Sequence, residues 1–320
     1  MNPPRSLHSL PPEGRLVNGL RRPGATDVKI LLTGATGQVG GELATQLGAH
    51  GDVIALGRKA LDLASPDAIV AVLRAAAPDI IVNAAAYTAV DLAERERDLA
   101  FAVNARAPQV IAEEAKRTGA LLVHYSTDYV FDGRATMPYD ESAPTGPLNA
   151  YGQSKLEGEQ AIDASGAAAL VLRTSWVYGL TGKNFFLTIK RLARERDELR
   201  IVADQAGTPN WSRDLAQATT RLIALGRGAL AERAGLYHFT STGSTTWHGF
   251  ACAIVAETAQ IPVVTPIPTS EYPTPARRPA YGVLATDKFE RTFGFGLPAW
   301  QDGLAACLRA AQTPRRHSEP

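Results

Sequence analysis

Apolar residues along the chain fall into short runs separated by stretches in which they recur every three or four positions. The runs occupy residues 28–32, 53–56, 80–82, 121–124 and 169–172. Runs this short and this rich in Val, Ile and Leu predict strands covered on both faces rather than buried helices. Residues 39–49, 65–77, 96–118 and 149–164 carry the helical period between them. Strand and helix in alternation predict a doubly wound parallel sheet with right-handed crossovers.

After residue 176 the rhythm changes. Gly-rich and Pro-rich stretches at residues 179–184, 204–211 and 261–279 read as long loops, and long loops in a compact chain usually shape a binding site. The expected division is a dinucleotide-binding domain over 28–177, to which 212–240 returns with a strand at 236–240. A smaller C-terminal substrate-binding region takes 178–211 and 241–311. Residues 1–27 hold Pro3, Pro4, Pro11, Pro12 and Pro23 with few apolar residues at any period, so they read as a disordered tail, as do 312–320. An Arg-rich, acid-poor start also suits a transit peptide, but the prolines would break its helix.

Composition narrows the function classes. With 33 Lys+Arg against 32 Asp+Glu the formal net charge is +1, so no basic face is available for a dedicated nucleic-acid or anionic-membrane binder. No apolar run reaches the length of a membrane-spanning helix, and the first residues lack a signal-peptide core. Cys252 and Cys307 form no metal-ligand or disulfide pattern, as expected of a cytoplasmic protein.

The first strand runs into Gly34-Ala35-Thr36-Gly37-Gln38-Val39-Gly40, three glycines between a strand and a helix. Glycine there permits a tight turn and brings backbone N–H groups and a helix N-terminus onto a pyrophosphate, as in Rossmann-type folds. After the second strand an NAD-specific site would place a carboxylate, but this chain has Arg58 and Lys59, which suit a 2′-phosphate or, equally, a solvated loop. Asp62 and Leu63 could hold an adenine edge, and Ala84, Ala85, Ala86 and Tyr87 end the third strand with mostly small residues. Tyr151 and Lys155 form the sole Tyr-x3-Lys of the chain, two side chains on one helix face. The ammonium, with the charge of an oxidised nicotinamide beside it, would lower the phenol pKa from about 10 toward neutrality and make it a usable acid. Ser126, Thr127, Asp128 and Tyr129 follow the fourth strand, where a hydroxyl can hydrogen-bond a substrate carbonyl. His124, on an apolar strand with no triad or ligand spacing, reads as a core side chain.

Together these stretches, with Arg173-Thr174-Ser175-Trp176-Val177-Tyr178-Gly179 and Arg277-Arg278-Pro279, resemble the extended short-chain dehydrogenase/reductases and, more closely, the dTDP-4-dehydrorhamnose reductase family. The similarity runs from residue 28 to about residue 311. It implies NADPH or NADH as cofactor and a dTDP-linked sugar as substrate. Thr127 and Tyr151 would then serve the carbonyl, Lys155 the nicotinamide ribose, and Asp128, Tyr129, Trp176, Asn184, Arg277 and Arg278 the substrate. Related dehydratases carry a Glu where this chain has Tyr129, so simple reduction is favoured. In some members a carboxylate matching Glu42 joins a Mg²⁺ site between the subunits of a homodimer. Asn210 and Gly282 stand where the family commonly has Thr and Ser. Two rivals share the fold: a sugar-nucleotide epimerase and a non-catalytic regulatory subunit of methionine adenosyltransferase.

Overall fold

The structure is a computed structural model and describes residues 28–257 and 261–312. The tails expected at 1–27 and 312–320 lie outside the described residues, except Gln312, which ends the last helix. Five strands, β1 (Lys29–Thr33), β2 (Asp52–Leu56), β3 (Ile80–Asn83), β4 (Leu121–Thr127) and β5 (Ala169–Thr174), form one parallel sheet with a sixth strand at Gly235–His238. The spatial order is Gly235–His238, β5, β4, β3, β1, β2. The order reverses between β1 and β3, so the binding crevice opens beyond their C-terminal ends.

Alternation along the strands explains why the sheet is buried on both faces. Ile30, Leu32, Ile80, Val82, Leu121, Val123, Leu170 and Leu172 pack on one side with Leu43, Leu215 and Leu222 from helices Gln38–Gln46 and Ser212–Ile223. Leu31, Ile81, Leu122 and Val171 point the other way, onto Ile69, Leu73 and Ile111 of helices Pro66–Ala76 and Ala107–Thr118. Ser65 caps the first of that second pair through its side chain, with Pro66 in the first turn, where no N–H is required.

The long helix expected over 96–118 is broken into Arg97–Phe101, a π-helical turn at Ala102–Arg106, and Ala107–Thr118. The wide turn carries Asn104, whose side chain accepts from the Tyr87 N–H and donates to the Tyr87 carbonyl and the Ser154 hydroxyl. It ties the end of β3 to the helix Ala150–Ser165. A separate core made by Phe186, Ile189, Trp211, Phe250, Ile254, Leu304 and Cys307 supports the smaller part of the molecule, where Glu198–Val202 pairs in parallel with Val263–Ile267.

Candidate active site

At the switch point a cavity of about 530 Å³ is lined by residues from the ends of β1 to β5 and from the loop 181–183. The glycine turn forms one wall. Gly34 has φ +73°, and a Cβ there would lie 2.7 Å from the Ala85 nitrogen, so only glycine fits. A Cβ on Gly40 would lie 2.0 Å from the Gly34 carbonyl oxygen. Gly40 therefore brings helix and turn together and does not line the cavity. The nine-residue helix begins at Gly37 with no side-chain cap, which leaves its first N–H groups for an anion. Gln38, Val39, Arg58, Leu63, Ala84, Ala85, Ala86 and Tyr87 also line the cavity, together with Tyr151 and Lys155. Asp62 does not; it is exposed, and its carboxylate accepts from the Ala64 N–H. An uncapped helix start, a turn that admits no Cβ and the cations Arg58 and Lys183 fit a dinucleotide bearing an extra phosphate.

Tyr151 is held from three directions. Asn149 caps the helix by accepting from the Gly152 N–H at 2.8 Å, and its amide donates to the Arg277 carbonyl at 2.7 Å. Glu94 accepts from the Ala150 N–H at 2.8 Å. Gly152 lets the helix press on the loop after β4, since a Cβ would lie 2.2 Å from the Tyr129 carbonyl oxygen. The Tyr129 ring meets the Tyr151 ring edge-on at 5.5 Å. Burial raises the Tyr151 phenol to about 12, against a smaller lowering by the neighbouring Thr127 hydroxyl.

For the chain by itself, burial outweighs the lowering expected of this phenol from Lys155 together with an oxidised nicotinamide. Burial lowers the Lys155 ammonium to about 8, and its Nζ donates to the Tyr125 carbonyl at 2.6 Å and lies 3.0 Å from His124 Nε2. His124, expected as a plain core residue, is thus buried against the site lysine. Asp128 is also buried; burial pushes its carboxyl up to about 7, although one oxygen accepts from the Thr127 hydroxyl. Its other oxygen has no partner among the described residues.

Beyond Thr127 and Tyr129 lie the residues expected to face the substrate. Trp176 adopts φ +41°, rare for a bulky residue, and stacks on Trp247 with ring centres 3.6 Å apart and 8° between planes. Gly207 makes room for it, since a Cβ there would lie 2.4 Å from the indole. Asn210 clamps the bend: its amide nitrogen donates to the Ser175 and Thr208 carbonyls, and its amide oxygen accepts from the Ser241 N–H. At Gly282 a Cβ would lie 2.6 Å from the unpartnered Asp128 oxygen, so glycine suits that carboxyl's close approach.

Three expected ligands have structural tasks instead. Asn184 caps helix Phe185–Glu195 with its amide oxygen and spends its amide nitrogen on Gln38 and two carbonyls. Arg278 places its guanidinium fork on Asp91 at 2.6 and 2.7 Å, which leaves no fork for a diphosphate and holds the Asp91 carboxyl below its ordinary range. Arg277, by contrast, is exposed. Glu42 pairs with Arg213 at 3.0 Å, and among the described residues no group of three or more His, Cys, Asp or Glu could hold a metal, so the Mg²⁺ expectation finds no ligand set. Sequence reasoning missed Ser126, Thr174 and Lys183 as lining residues. The first two sit at strand C-terminal ends, a position that by itself marks them.

A parallel sheet reversing at a glycine-lined crevice, with a Tyr-x3-Lys helix beside it, defines a nucleotide-dependent oxidoreductase of the Rossmann type. A family model described as the RmlD substrate binding domain matches residues 28–313. A dTDP-4-dehydrorhamnose reductase of Burkholderia thailandensis is 49% identical over 293 residues, which cover 88% of this chain and 98% of the relative. The enzyme of the same name from Escherichia coli K12 is 44% identical over 291 residues, 88% and 97% of the two chains. The crystal structure of the Bacillus anthracis dTDP-4-dehydrorhamnose reductase in complex with NADP superposes with a TM-score of 0.84 at 36% identity, covering 89% of this chain and 100% of the other. The chain belongs to the dTDP-4-dehydrorhamnose reductase family.

Proposed function

We propose that this protein reduces dTDP-4-dehydro-L-rhamnose to dTDP-L-rhamnose with NADPH, in the cytoplasm, as a step toward surface polysaccharide. The observation that carries the reading is that Tyr151 and Lys155 line one cavity with the glycine turn, with Thr127 at the end of β4 next to Ser126, which also lines it. The bound dinucleotide would supply hydride; the chain supplies its position and the proton. The uncapped N–H groups of Gln38 and Val39 would meet the pyrophosphate, Arg58 and Lys183 the remaining phosphate charge, and Lys155 the ribose.

Thr127 orients the sugar carbonyl, and Tyr151 releases its proton to the oxygen as negative charge develops there. A phenol at about 12 is a weak acid but a close match for an alkoxide, so the proton crosses as the carbonyl carbon accepts hydride. Tyr129, whose ring abuts Tyr151, stands where a dehydratase would need a carbon base, and its phenol is held protonated by burial. Trp176 and the exposed Arg277 are the proposed contacts for sugar and diphosphate.

The test is NADPH consumption against a panel of 4-keto sugar nucleotides. Turnover of dTDP-4-dehydro-L-rhamnose well above that of other 4-keto sugars is expected. A protein that retains bound cofactor and interconverts sugar epimers without net oxidation would refute it.

A further inference from the structure

Behind Lys155 a line of polar side chains crosses the sheet between strands whose cores are otherwise mostly apolar. The Thr33 hydroxyl donates to Asn83 Oδ1 at 2.6 Å, Asn83 Nδ2 faces His124 Nδ1 at 3.0 Å, and His124 Nε2 faces Lys155 Nζ at 3.0 Å. Thr33, Asn83, His124 and Lys155 are each at most 2% exposed. Four buried polar residues in contact, from β1, β3, β4 and the Tyr151 helix, are costly unless every donor meets an acceptor, so the direction of each bond is constrained by the next.

A neutral imidazole has one N–H and one lone pair. With Asn83 Nδ2 donating to Nδ1, the ring's hydrogen sits on Nε2 and points at Lys155, which must then accept as a neutral amine. An ammonium instead has three hydrogens. One goes to the Tyr125 carbonyl, one needs the Nε2 lone pair, and the third faces the cavity. That arrangement puts the ring hydrogen on Nδ1 and turns the Asn83 amide so that its oxygen faces the ring and its nitrogen faces Thr33.

We propose that His124, backed by Asn83 and Thr33, is a positioning residue that sets the proton count of Lys155, the row reversing its donor direction as Lys155 gains or loses a proton. The proposal rests on the reductase reading, in which Lys155 serves the cofactor and Tyr151. In net terms the Lys155 ammonium and the Nδ1–H imidazole become an amine and the Nε2–H imidazole, one proton in all being lost to solvent, and no bond between heavy atoms is made or broken. The other ionisable groups around the row are Tyr151 and Glu159 on the lysine's own helix, Arg173 of β5, which pairs with Glu159, and Tyr125 of β4. Burial first and the Lys155 charge second hold the His124 imidazole well below its ordinary value, which keeps it neutral with one N–H in either direction.

The full-length protein labelled with ¹⁵N-histidine tests this without substrate or cofactor. The His124 resonance, assigned by its loss in His124→Phe, is expected to pass from the Nδ1–H to the Nε2–H tautomer as pH rises through the titration of Lys155, and to stop responding in Lys155→Met. One tautomer throughout from about pH 6 to about pH 10 would overturn the proposal. In turnover, His124→Phe removes an acceptor from a buried ammonium and is expected to move the alkaline limb of kcat down by about one pH unit. Asn83→Asp, which fixes the ring hydrogen on Nδ1 and adds a negative charge, is expected to move it up. A merely structural role would lower the whole profile and leave the limb in place. Absence of turnover in the unaltered protein would refute the reductase reading, while the tautomer measurement would still decide this one.

Discussion

The two sides of the cleft are built by different means. The side expected to hold the cofactor turns on backbone: a few residues of continuous chain from Gly34 to Gly40 make a turn that admits no Cβ and an uncapped helix start. The substrate side is made of side chains that meet from far apart in sequence, such as Trp176 with Trp247, Arg278 with Asp91, and Asn210 with Ser175 and Ser241. A wall of local backbone tolerates little change at a few positions. A wall of long-range side-chain pairs spreads its dependence over many, each worth less.

The sharpest test lies where the sides meet. Tyr151→Phe keeps the ring against Tyr129 but removes the proton, and kcat is expected to fall by about 10² to 10⁴ with circular dichroism unchanged. Near-normal turnover would remove the proposed acid. Next comes the backbone wall: Gly34→Ala meets both a positive φ and the Ala85 nitrogen, so a loss of about 1–3 kcal/mol of stability and weakened NADPH binding are expected from thermal melts and fluorescence titration. A silent Gly34→Ala would contradict the rigidity argued for that side.

On the side-chain wall, Asn210→Ala removes a fully buried amide with four partners and takes the Asn210 bond from the Ser175 carbonyl and from the Ser241 N–H, while the Thr208 carbonyl keeps the Ser175 hydroxyl. A loss of about 1–3 kcal/mol is expected, with KM for the sugar nucleotide rising more than KM for NADPH. Equal rises in both would mean that the clamp serves the whole cleft. The smallest effect belongs to Arg58→Ala, expected to weaken NADPH binding by about tenfold and to leave NADH binding almost unchanged, since it removes one charge near a single phosphate. Equal losses for the two cofactors would show that Arg58 does not meet the 2′-phosphate.

Legibility in the sequence follows the same division. The glycine turn, Thr127 at a strand end and the Tyr151–Lys155 pair depend on local spacing, and spacing of three or four residues survives in any helix or turn. The alternation of Ile30, Leu31 and Leu32 between two cores was equally readable as a continuous apolar run. Asn184 reads from the sequence as a substrate contact, but its side chain caps a helix and reaches Gln38, 146 residues away. Arg278 with Asp91, 187 residues apart, and Arg213 with Glu42, 171 apart, escaped for the same reason: a charge in a loop carries no mark of the charge it will meet. His124 shows the subtler case. Its burial was foreseen, but its significance comes from Lys155 arriving across 31 residues.

The stacked indoles have an optical consequence. Two parallel chromophores 3.6 Å apart share their excitation, so Trp176 and Trp247 should contribute a paired band of opposite signs in the near-ultraviolet circular dichroism. Only Trp211 and Trp300 remain of the four tryptophans, and both are buried in the smaller core. A sugar nucleotide that settles against Trp176 would disturb the coupled pair and leave the other two bands alone. Under the proposed substrate contact at Trp176, the coupled pair would report occupancy with no label and no turnover.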